Sequence, residues 1–143
     1  MTDLTALLER VRAATGADRE IDAALMAQSY AQEERHIGAV MEYSDGSEER
    51  VKDLVWVDPK TDKWVSTAAH SYTASIDAAL ALTERVLPGW RYDIHSPRFG
   101  TPFEAVLVDG DSASLRIVTA KAPTAPLAIL AALLSALIAQ AQP

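Results

Sequence analysis

Residues 126–141, PLAILAALLSALIAQA, limit what this chain can fold into more than any other stretch. At 100° per residue, Leu127, Ile129, Leu130, Leu133, Leu134, Leu137 and Ile138 fill one half of a helix. Ala128, Ala131, Ala132, Ser135 and Ala139 fill the other, and no charge follows Lys121. The aliphatic half requires burial, and the small half admits another backbone at close range. The strongly apolar part, residues 127–139, is shorter than the roughly 20 residues that a spanning helix needs. The expectation is a buried helix in a soluble, cytoplasmic protein with no membrane contact. The alanine half also offers a seat for a second copy, hence a homo-oligomer through the terminal helix.

Upstream, Thr2 or Asp3 can cap a first helix with a stripe of Leu4, Leu7, Leu8, Val11 and Ala14, ended by Gly16 in a left-handed conformation. The early acids of this segment are unlike a signal peptide. Asp18 caps a second helix, with Ile21, Ala24 and Leu25 inward and Glu20 and Asp22 near the positive end of its dipole. From Ile37 the period falls to two. A strand, the turn Ser44-Asp45-Gly46-Ser47, a strand over residues 51–57, a turn over 58–62 and a short strand around Trp64 and Val65 make an antiparallel meander.

A third helix follows, capped by Thr73 or Ser75, with Ile76, Ala79, Leu80, Thr83 and Leu87 on one face, and Pro88-Gly89 stops it. Residues 90–95 alternate as a one-sided strand, and residues 96–102 form an irregular loop with Pro97, Gly100 and Pro102. Residues 103–108 contain one polar side chain, Glu104, so this strand is read as central and covered on both faces. A turn at Asp109-Gly110-Asp111 returns the chain through Leu115, Ile117 and Thr119. These elements predict an α+β fold: a single-domain three-layer α/β/α sandwich over residues 1–143. Its mostly antiparallel central sheet has about six strands, with about four helices and an inserted hairpin at residues 36–66. The pentapeptide Ile-Asp-Ala-Ala-Leu occurs at 21–25 and again at 76–80, read as a shared way of starting a helix and not as a duplicated domain.

Several motifs carry a family likeness. Residues 14–22 (ATGADREID), 72–80 (YTASIDAAL) and 87–90 (LPGW), followed by the Ala/Leu-rich terminal helix, resemble the phage ABA sandwich domain family of small phage-encoded α/β/α proteins. The likeness is weakest over residues 36–66. It implies a bacteriophage or prophage origin and helix-sheet-helix layering, and it implies no chemistry.

The residues themselves point to a ligand more than to a reaction. The chain has no cysteine, which removes thiolate chemistry and cysteine-bound zinc, and its net charge of −7 argues against binding a nucleic-acid polymer. No phosphate-cradling glycine loop, Gly-x-Ser-x-Gly or His-x-x-x-His pattern occurs, so no catalytic residue, metal ligand or cofactor is assigned. Against this acidic background, Arg91, His95 and Arg98 fall within eight residues, beside Trp90, Tyr92 and Phe99. They can seat a phosphate-bearing ligand, although a solvated strand face accounts for them too. His70, Tyr72, Thr73 and Ser75 lead into the third helix, where orphan amides favour anions. Capping alone accounts for Thr73 and Ser75. Arg19, between Asp18 and Asp22, reads as a structural ion pair or a bridge toward Asp77.

The leading expectation is a non-catalytic phage accessory protein that sequesters a host factor, either a small nucleotide-like anionic signal or a defence protein, in the host cytoplasm. Two alternatives stand beside it. One is a nucleotide-acting hydrolase with His95 or His70 as general base. The other is a self-associating module built on the alanine face of the last helix.

Overall fold

A computed structural model describes residues 3–96, 98 and 102–142. The fold is α+β. The element order is α1 (Leu4–Ala13), α2 (Arg19–Met26), β1 (Ala31–Glu42), β2 (Glu48–Asp58), β3 (Lys63–Ser66), α3 (Ile76–Val86), β4 (Arg91–His95), β5 (Phe103–Asp111), β6 (Ser114–Ala122) and α4 (Ala125–Ala141).

The strands do not form the single six-stranded sheet expected. They form two separate antiparallel sheets, ordered β1-β2-β3 and β4-β5-β6. The physical reason lies in the first sheet, where residues 38–50 are exposed at every position. That part of the ribbon has no apolar face for a helix layer to cover. Only Val55, Trp56 and Val57 at its base are buried, and Trp56 joins the main core. The base is braced by Asp58 to Arg85 at 3.2 Å, with the Arg85 guanidinium 4.3 Å over the Tyr30 ring. The register slips between His36 and Val40, where Gly38 takes φ 84° and bends the ribbon.

The terminal helix lies at the centre of the molecule. Thr124 caps it, accepting from the Leu127 amide, and Pro126 stands in its first turn, where no amide is needed. It packs against β5 and β6, against α1 and against α3. Leu133, Leu134 and Leu137 meet Leu25, Leu82 and Val86 of α2 and α3, whereas Ala136 and Ala139 look toward Trp90 and Val118. At 100° per residue Ala125, Ala128 and Ala132 share that second side. The alanine half, expected to receive a second copy, is therefore filled from within the chain as far as Ala136, with Ala139 beyond it exposed. Ala128, Ala131, Ala132 and Ala136 are buried, and β5 and β6 supply the close backbone. Each buried leucine or isoleucine of this helix contributes about 1.5–3 kcal/mol, so the helix forms the heart of the core.

Three smaller expectations are corrected by the same packing. α1 starts at the Asp3 cap but ends at Ala14 in an extended conformation, and Gly16 is not left-handed. The chain leaves α1 extended because it must bring Asp18 to Thr73, whose hydroxyl accepts from the Asp18 amide at 2.8 Å. α3 is capped by Ser75 and buries Ala79, Leu82 and Thr83, leaving Ile76 44% exposed beyond the helices it packs on. The β5-β6 connection is Ser112-Ala113, since Asp111 pairs with Ser114, and Gly110 lies inside the strand. β5 is central in its sheet as expected, but it is not covered on both faces. Ala105 and Leu107 are buried on the α4 side, whereas Val106 and Val108 are only half-buried on the other, because α4 covers one face of this sheet.

Among the described residues, no helix is long and apolar enough to cross a membrane.

Candidate functional site

The second sheet assembles a row of charge that no single segment contains. Its register sets His95 opposite Glu104, and Glu104 opposite Lys121. Residues directly opposite across antiparallel strands share a face, and successive residues alternate faces. The row therefore lies on the side away from Ala105, Leu107 and Ala120, hence away from α4. Ile94, Ser96, Arg98 and Pro102 join it to enclose an open cleft of about 680 Å³.

The electrostatics of the cleft run against those of the whole chain. Arg98 and Lys121 supply positive charge and Glu104 the one carboxylate among the lining residues. Lys121 Nζ lies 3.8 Å from the Glu104 carboxylate, and His95 Nε2 lies 3.4 Å from that of Asp93. Lys121 and His95 each keep more than half of their side chains in solvent. Guanidinium, ammonium, the Ser96 hydroxyl and an imidazole are a donor set suited to phosphate oxygens. The volume falls in the range that takes nucleotide-sized ligands.

The expected cationic and aromatic cluster is thus divided. His95 and Arg98 reach the cleft. Arg91 shares their face but lies four residues along β4, roughly 13 Å away at strand spacing, and donates to the Gly110 carbonyl at 2.9 Å. Tyr92 points to the opposite face and is 46% exposed because β4 is an edge strand beyond the cover of α4. Trp90 lines a different cavity of about 230 Å³ with Val118, Ala136 and Ala139. Phe99 lies outside the described residues. Glu104 and Lys121 are what sequence reasoning missed. A turn placed at 109–111 centres the hairpin on Gly110 and sets Lys121 opposite position 99, whereas the two-residue turn at 112–113 sets it opposite Glu104.

The second expected set serves to hold the chain together. Thr73 is buried, and its amide and hydroxyl both donate to Asp22 Oδ1, at 2.8 and 2.9 Å. Asp22 is itself buried and accepts from Arg19 at 2.9 Å on its other oxygen. Arg19 also donates to the Ala69 carbonyl and the Ser71 hydroxyl, so it ties α2 to residues 69–71 and not to Asp77. Ser75 accepts from the Ala78 amide as the α3 cap. Tyr72 is buried, its hydroxyl 3.4 Å from His70 Nδ1, and burial pushes its phenol up to about 12. His70 packs edge-on between Tyr30 and Tyr72. Among the described residues no group of three or more His, Asp or Glu side chains is gathered to hold a metal ion.

No family model, curated protein or solved structure matches the chain. The likeness to phage ABA sandwich proteins rests on the quoted motifs alone.

Proposed function

We propose that this chain is a non-catalytic accessory protein of bacteriophage type that captures a small, phosphate-bearing, nucleotide-like anion of its host in the cleft of His95, Arg98 and Lys121. The observation that carries the reading is the convergence of these three donors on one cleft in a chain of net charge −7. Binding without turnover is favoured because His95 and Asp93 are both largely solvated, without the burial with which enzymes set up a general base. The phage origin and the family assignment belong to the same proposal, supported by the motifs at 14–22, 72–80 and 87–90.

The test is a thermal-shift series with inorganic phosphate, linear nucleotides and cyclic nucleotides. Chromatography of the recovered nucleotide follows. Occupancy at a hundred times Kd adds about 2.7 kcal/mol of stability, on the order of 10 °C for a domain of this size. The expected result is a rise with at least one nucleotide, lost in Lys121→Glu while its circular dichroism is retained, and a chemically unchanged ligand. No rise with any anion overturns the reading, and an altered nucleotide replaces it with the hydrolase.

A further inference from the structure

The distal half of the β1-β2 ribbon is a poor structure for a chain to carry unaccompanied. A two-stranded ribbon wetted on both faces is marginal in water, and this one leaves Val40 53%, Met41 51% and Tyr43 44% exposed. Its tip adds repulsion, with Glu42 directly opposite Glu48 and Glu49 beside it. At the apex, Gly46 takes φ 85° and closes a turn whose side chains are all small. Asp45 Oδ1 there accepts from the Ser47 amide at 2.9 Å and from the Ser47 hydroxyl. These bonds hold its carboxyl below the usual carboxylate range, so the apex presents a fixed anion. From buried Val55 to Asp45 the ribbon runs ten residues, roughly 30 Å at strand spacing.

We propose that this tip docks into the His95–Arg98–Lys121 cleft of a second copy of the chain. Charge complementarity selects that occupant: a fixed carboxylate with acids behind it meets a cleft whose lining carries Arg98 and Lys121 with His95 against the single carboxylate of Glu104. Apolar surface matches as well. The cleft opens on the uncovered face of the second sheet, where Ile117 is 61% exposed, and one face of the arm brings Met41 and Tyr43. Pairing two arm tips would instead set acids against acids, and Ala128, Ala131, Ala132 and Ala136 of α4 are buried inside their own chain. The inference rests on the anion-binding reading of the cleft and makes Asp45 the occupant with which a phosphate competes.

The test is light scattering of the full chain over a concentration series at low salt. Wild type is expected to gain mass with concentration, and inorganic phosphate to reverse the gain. Asp45→Lys and Lys121→Glu each weaken association at least about tenfold. An equimolar mixture of the two restores it, because a cationic tip then faces a carboxylate in the cleft. Asp45→Asn serves as a milder variant, and circular dichroism checks the fold of each. Wild type that stays monomeric throughout, or Asp45→Lys that associates as wild type does, overturns the docking. The two readings fail separately. Asp45→Lys keeps the nucleotide thermal shift, so a shifting but monomeric protein removes the docking alone. An associating protein that no phosphate-bearing anion shifts or dissociates removes the ligand alone.

Discussion

Replacing Asp22 by alanine tests the joint that fastens the first two helices to the segment before α3. The carboxylate is 1% exposed and accepts three hydrogen bonds, from the Thr73 amide, the Thr73 hydroxyl and Arg19. The three are unequal. The buried amide has no other acceptor among its described partners, so its loss costs about 1.5–3 kcal/mol. The hydroxyl can turn to the Asp18 carbonyl at 3.2 Å, which limits its cost to about 1 kcal/mol. Arg19 is 56% exposed and keeps its bond to the Ala69 carbonyl, so its share is screened to about 0–1 kcal/mol. Asp22→Ala is therefore expected to cost about 3–4 kcal/mol, a large part of a typical 5–15 kcal/mol. Asp22→Asn keeps an oxygen for Thr73 and should cost less than half as much. Urea melts followed by tryptophan fluorescence read both, with m held fixed as the two-state check. On heating, the alanine variant should lose on the order of 10 °C. A cost below about 1 kcal/mol for alanine, or asparagine as damaging as alanine, would refute the assignment of the joint to the amide bond.

Three further changes have defined outcomes. Gly110→Ala sets a Cβ 1.9 Å from the Ser114 carbonyl oxygen at φ 99°, so it should destabilise by at least about 1–3 kcal/mol in a urea melt, and a neutral result would mean that the strand end rearranges. Ala132→Glu puts a carboxylate at a wholly buried position between the sheet and the helices; circular dichroism should show loss of cooperative folding, not a change of oligomer. Tyr72, held protonated to about pH 12, binds its proton more tightly folded than unfolded. Its stabilisation is complete below the unfolded value near 10 and lost as pH rises toward 12, so alkaline melts of Tyr72→Phe should fall less steeply over that window than those of wild type.

How far the sequence reveals this molecule depends on whether the information is local. The Asp18 and Ser75 caps, the 44–47 turn and the helix stop at Pro88-Gly89 follow from one turn of chain and are found as expected. The repeated pentapeptide shows where such reasoning ends. Ile21 and Asp22 are buried, whereas Ile76 and Asp77 are exposed, although the five residues are the same. What differs is the neighbour: Thr73 comes to Asp22, and among the described residues no such donor comes to Asp77. The candidate site fails in sequence for a similar reason. His95 and Arg98 stand out as cations in an acidic chain, but Lys121 joins them only through a register two strands away, and Gly110 looks like a turn while lying in a strand.

The misread sheet and the buried alanine face have one cause. A helix that must be covered on both halves takes a sheet on its small side and other helices on its large side. In this chain α4 uses β5 and β6 for the first and α1 and α3 for the second. Once β5 and β6 are engaged in this way, the far side of that sheet keeps Val108 half-buried and Ile117 in solvent, with the charged row at its end. The first sheet is left anchored at its base, by Trp56 in the core and by Asp58 on Arg85, with its distal ribbon outside the core. The two surfaces to which recognition is proposed, the cleft and the arm, both follow from where the terminal helix is buried. A substitution that loosens α4 should therefore weaken both together, whereas Asp45→Lys should leave the melting of the unliganded chain nearly unchanged, within about 0.5 kcal/mol. Lys121→Glu, which sets a second carboxylate opposite Glu104, should lower it by no more than about 1 kcal/mol.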